Sequence, residues 1–106
     1  MKKLRTKKKT TSYDDFLHEK LKDFDFAIEY LNSSVSDFTD DDFEVFFNAL
    51  LLVAKAQGMT NVSQVSGVSR DAIYKIFTKH RNPTFKTFVK TLKALGMSIS
   101  IVPANA

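Results

Sequence analysis

Ser69, Arg70, Asp71, Tyr74 and Lys75 sit just after Gly67, on the second of two short helices that the sequence predicts around that glycine. The spacing of Arg70, Asp71, Tyr74 and Lys75 places them on one side of that helix, with Ile73 and Ile76 left for the other side and Ser69 at its start. A guanidinium such as that of Arg70 can donate two parallel hydrogen bonds to the edge of a guanine, which is worth about 1–3 kcal/mol of discrimination. Asp71 can accept from a cytosine amino group, or pair with Lys75 one turn later. The hydroxyls of Ser69 and Tyr74 suit phosphates or bases. Lys79 and Arg81 in the following loop, and Lys86 beyond it, suit phosphates. The chemistry is the reading of double-stranded DNA.

Other chemistries find no support. His18-Glu19 begins like the zinc-protease pattern H-E-x-x-H, but position 22 is Lys. The two histidines lie in different segments, and there is no Cys to form a disulfide or a thiolate metal site. Asp40, Asp42 and Glu44 imitate part of a calcium loop, but Val45 stands where that loop needs Gly. No glycine-rich loop cradles a phosphate, and no His is placed to activate a Ser. No cofactor is expected, and the chain does not read as an enzyme.

The elements that must position these residues follow from the apolar spacing. A chain of 106 residues makes one domain plus tails. Residues 1–12 hold Lys2, Lys3, Arg5, Lys7, Lys8 and Lys9 and read as a disordered basic arm, which either tracks DNA phosphates or serves as a solubilising tail. Residues 13–38 form an acidic, helical N-terminal segment. Phe16, Leu17, Leu21, Phe24, Ile28 and Leu31 suggest one or two helices there, and a Ser-rich connector is expected from Asn32 to Phe38. Residues 39–103 form the DNA-binding domain. Thr39 is a candidate N-cap, with Asp40, Asp41 and Asp42 favoured by the helix dipole behind it. Phe43, Phe46, Phe47, Leu50, Leu51 and Ala54 give that helix a broad apolar face, and Gly58 stops it. After Asn82-Pro83, Thr84 caps a last helix that buries Phe85, Phe88, Val89, Leu92 and Leu95, and Gly96 ends it. Met97–Val102 alternates apolar and polar, the pattern of a short C-terminal strand, with Pro103 after it. Phe16, Phe24, Phe26, Phe38 and Phe43 are expected in the core rather than on a partner surface.

Charge divides the chain. The stretch 13–48 has eleven acids against Lys20 and Lys22, whereas 49–106 has eight bases against Asp71 alone. A basic half suits a polyanion, and an acidic half suits a basic partner. The longest apolar run, Ala49–Ala54, falls far short of the roughly 20 residues that cross a bilayer. The basic N-terminus is not followed by an apolar stretch, so no secretory signal and a cytoplasmic location are expected.

Around Gly67 the chain has what a helix-turn-helix requires. Ser63 is the small residue where the helices cross, Gly67 tolerates the left-handed turn, and Val62, Val68, Ile73 and Ile76 anchor both helices. Ser69 caps the second helix. Together with Lys55-Ala-Gln-Gly58-Met-Thr, Asn82-Pro83-Thr-Phe85 and Leu92-Lys-Ala-Leu-Gly96, this stretch resembles the addiction-module antidote proteins. These are small HigA-like antitoxins with a lambda-repressor-like, Xre-type helix-turn-helix. The resemblance covers about residues 23–103. It implies an all-α, lambda-repressor-like bundle here, with an N-terminal helical extension and the C-terminal strand.

It also implies an antitoxin that neutralises a small basic toxin of the RelE/ParE-like class and represses their shared operon. DNA contact then falls to Ser69, Arg70, Asp71, Tyr74 and Lys75. Two departures from the wider helix-turn-helix pattern stand out. Gln is missing at the start of the first motif helix, which passes a phosphate contact to Thr60 or Asn61. Ser66 occupies a usually apolar place, whose packing Val65 is expected to take over. A homodimer is expected, because two-fold operators set half-sites about 34–36 Å apart. Ser98–Val102 would then pair between subunits or extend a sheet of the toxin. The alternatives are a stand-alone, prophage-type repressor with no toxin, and a helical interaction module whose basic face is incidental.

Overall fold

The computed structural model describes residues 12–36, 43–78 and 83–104. The helices are α1 (residues 12–20), α2 (Phe24–Ser36), α3 (Phe43–Gln57), α4 (Met59–Ser66), α5 (Arg70–Thr78) and α6 (Phe85–Ala94). The Lys2–Lys9 arm, Phe38, the cap at Thr39 with Asp40–Asp42, and Lys79 and Arg81 lie outside the described residues. α3 packs against α2, α4 and α5, and α4 packs against α6 and α5.

The stretch 13–31 forms two helices. The turn between them closes when Lys22 and Asp23 donate their amides to the carbonyls of Glu19 and Lys20. Asp23 then caps α2, its carboxylate accepting from the Asp25 amide at 3.0 Å. The expected Ser-rich connector does not begin at Asn32, since α2 runs on to Ser36. Ser34 turns its hydroxyl back to the Tyr30 carbonyl at 3.0 Å and so stays within the helix.

α3 is the centre of the molecule, and Phe46, Ala49, Leu50, Leu51, Val53, Ala54 and Ala56 are all buried on it. A helix with neighbours on several sides needs more than one apolar stripe. With Leu21, Val62, Ile73 and Leu92 it forms one continuous core. Thr91, a polar side chain fully enclosed beside that core, donates to the Thr87 carbonyl at 2.9 Å.

Several expected core residues are not in it. Phe16, Phe24, Phe43 and Phe85 are all exposed. Each lies in α1 or at the first position of its helix, where a side chain is covered from fewer directions. α6 itself is bounded as expected. Thr84 accepts from the Thr87 amide at 3.1 Å. At the other end the Met97 amide reaches the Leu92 carbonyl and the Gly96 amide that of Lys93, a paired closure that needs the left-handed Gly96. Residues 97–104 carry neither helix nor strand. A strand requires a ladder partner, and the described residues supply none for the expected strand at 97–102. No described helix is long and apolar enough to cross a membrane.

Candidate nucleic-acid interface

The turn between α4 and α5 is fixed by three serines and one glycine. α4 ends at Gly67, whose φ of 76° is left-handed and strained for any residue with a Cβ. Its amide donates to the Ser63 carbonyl at 2.9 Å. Ser63 also donates its hydroxyl to the Val68 carbonyl at 2.8 Å, so it latches the turn as well as being small. Ser66 is buried and accepts from the Val68 amide at 3.1 Å, while Val65 is 61% exposed. The expected replacement of Ser66 by Val65 therefore does not occur. A hydroxyl that satisfies a turn amide is worth more at this place than an apolar group.

Ser69 then caps α5, accepting from the Ala72 amide at 3.1 Å. Ile73 is fully buried and Phe77 nearly so, and Val68 and Ile76 pack partly against the core. With its inner side anchored this way, α5 presents Arg70, Asp71 and Lys75 to solvent, beside exposed Ser69. No ion pair joins Asp71 to Lys75 among the described residues. The exposed carboxylate and ammonium are both available to a ligand. Thr60 and Asn61 are exposed on α4, and Lys86 is exposed at the start of α6.

Tyr74 is different. It is half-buried against the core, and the Lys55 ammonium from α3 lies 5.6 Å from the centre of its ring. Its backbone carbonyl accepts from Thr78. Tyr74 therefore offers its edge and hydroxyl rather than a free ring. In the sequence Lys55 stands out only as part of the family resemblance, not as a DNA contact. No local pattern links it to Tyr74, because the fold alone brings α3 beside α5.

Lys55 also lines a hollow of about 400 Å³ between α1 and α3, shared with Asp14, Asp15, Leu17, His18 and Leu52. This is the acidic side of the molecule. Lys22 donates to the Glu19 carboxylate at 2.8 Å, and that hydrogen bond and charge hold the Glu19 carboxyl below its ordinary pKa. Burial pushes the Tyr30 phenol up. No group of three His, Cys, Asp or Glu among the described residues stands close enough to hold a metal.

Residues 9–103 match the family described as "Probable addiction module antidote protein". An uncharacterized protein of Haemophilus influenzae is 34% identical over 92 residues, covering 78% of this chain and 92% of that relative. No solved structure matches the chain.

Proposed function

The chain belongs to the addiction module antidote family, and from that premise we propose that it is a DNA-binding antitoxin with two working surfaces. The observation that carries the DNA part is the rigid α4–α5 turn. It sets Arg70, Asp71 and Lys75 in solvent on a helix whose other side is locked by Ile73 and Phe77. In this reading α4–α5 is a lambda-repressor-like, Xre-type helix-turn-helix, and residues 39–103 are the DNA-binding domain. Arg70 and Asp71 read base edges. Ser69, Tyr74, Lys75, Thr60, Asn61 and Lys86 hold phosphates or bases, with Lys79 and Arg81 beyond α5 adding phosphate contacts.

The acidic segment 13–38 takes a small basic toxin of the RelE/ParE-like class. There charge speeds the encounter and the exposed aromatics of α1 hold the complex. A homodimer reads the two halves of the operator upstream of its own genes, and so represses them.

Two measurements test this. Pull-down of the tagged full chain from its native cells is expected to yield one stoichiometric basic protein encoded beside it. Retardation of the upstream DNA is expected to weaken steeply as salt rises, because phosphate contacts release counterions. DNA retention with no stoichiometric protein would sink the antitoxin part and leave a solitary repressor. A partner with no DNA binding would sink the repressor part.

A further inference from the structure

The end of α6 and the tail after it carry apolar surface that the described chain leaves uncovered. Phe85 is 72% exposed at the rim of a hollow of about 240 Å³, lined also by Val89, Leu92, Met97 and Ile99. Along the tail, the exposure of alternate apolar residues climbs from 8% at Met97 through 43% at Ile99 to 94% at Ile101. The chain leaves its own core with its apolar pattern intact. Among the described residues, its backbone hydrogen bonds end where the Met97 amide meets the Leu92 carbonyl. A segment patterned as a strand, with free ladder groups and an apolar hollow beside it, is a template for another extended chain.

We propose that a second copy of this chain covers this surface. Residues 97–102 of the two copies pair antiparallel about a two-fold axis, and each tail closes over the hollow beside the other's Phe85. The proposal supplies the seam of the homodimer in the preceding reading, and rests on that reading only for its consequence at the operator.

Three observations favour a second copy over the basic partner. The first is self-complementarity. Pairing this segment with itself about one residue sets Met97, Ile99 and Ile101 opposite the same set, and serines opposite serines, because side chains alternate with a period of two. An isologous contact demands that match. The second is charge. Lys93 lines the hollow, Lys86 and Lys90 are exposed on the same helix, and no Asp or Glu occurs after Asp71. The element that seats beside those lysines in this pairing, the tail Met97–Ala104, is uncharged, so no like charge enters the hollow itself. The third is extent. Phe85, Ile99 and Ile101 are exposed on the side of the hollow, and the backbone of 97–102 adds its unpaired ladder groups to that apolar surface. The seam also spares the reading helix, since α6 packs on α4 whereas α5 packs on α3 and α4.

The experiment is sedimentation of the full chain at about 1–100 μM, a span that brackets micromolar affinities. Wild type is expected to be a dimer that tightens several-fold with salt, because salt screens the lysines around an apolar seam. The I101S/V102S double variant is expected to dissociate about 100-fold more readily while keeping the circular dichroism of a folded helical chain, since both side chains are exposed. The chain has no Cys, so single substitutions to Cys at 98–102 test the register. One position near the two-fold is expected to form an intermolecular disulfide far faster than its neighbours.

A full chain monomeric at about 100 μM overturns the proposal. So does an I101S/V102S variant that stays as dimeric as wild type. If that variant stays dimeric but loses the basic partner, the hollow belongs to the partner and the proposal fails. A dimer that persists while DNA or partner binding is absent marks failure of the antitoxin reading instead.

Discussion

α1 and α5 are short helices of equal length at opposite ends of the charge division, and they are held very differently. α5 drives Ile73 and Phe77 into the core and is capped by Ser69. α1 buries little of itself, is secured mainly by Leu21 just past its end, and leaves Tyr13 and Phe16 more than half exposed. One is a fixed rail that displays Arg70 and Lys75. The other is a lightly fastened strip that displays Asp14, Asp15 and two aromatic rings. Reading base edges needs side chains placed to within a fraction of an ångström, and anchoring supplies that. Gripping a protein tolerates adjustment, and exposed aromatics supply area at low entropic cost.

The largest test of this contrast is stability. Ile73→Ala is expected to cost about 2–5 kcal/mol in urea unfolding, whereas Phe16→Ala is expected to stay within about 0.5 kcal/mol of wild type. Equal losses would break the contrast. Next comes ligand choice. Arg70→Ala is expected to cost about 1–3 kcal/mol in operator affinity and to relax base preference, read by fluorescence anisotropy on matched and mutated operators. Asp14→Asn with Asp15→Asn should leave that binding intact and slow association of the basic partner. If the asparagines alone weaken DNA binding, the two surfaces are not separate.

A smaller effect is expected from Ser69→Ala, which removes the cap of α5 at about 1 kcal/mol of thermal stability. The smallest lies beside α1. The Glu19 carboxyl is held below its ordinary pKa by Lys22. Its contribution to stability is therefore present above the ordinary value and fades as pH falls through the depressed one. In Lys22→Ala the Glu19 carboxyl is expected to titrate higher, as followed by NMR. An unmoved titration would remove Lys22 as the cause.

What could be read from the residues was local. Gly67, the cap at Ser69, the cap at Thr84 and the Gly96 terminus depend on a few neighbouring residues, and each stands where the sequence put it. The exposed row Arg70, Asp71 and Lys75 followed from helical spacing. Burial was less legible, because it depends on what lies opposite. Phe85 has the spacing of a core residue but sits past the end of the layer above it. Ser66 looked like a gap to be filled and instead satisfies the Val68 amide. The contact of Lys55 with Tyr74 joins two helices whose approach no periodicity encodes.

Gln57 is half-buried at the last position of α3. Its amide nitrogen donates to the carbonyl of Leu21 at 2.8 Å and to that of Lys22 at 3.2 Å, a reach of 36 and 35 residues along the chain. Those carbonyls lie in the turn between α1 and α2, so one amide and the buried Leu21 clasp that turn to the centre of the bundle. A unit held by so few contacts opens on its own, well before the core melts. The amide hydrogens of α1 are therefore expected to exchange with solvent faster than those around the turn at Gly67.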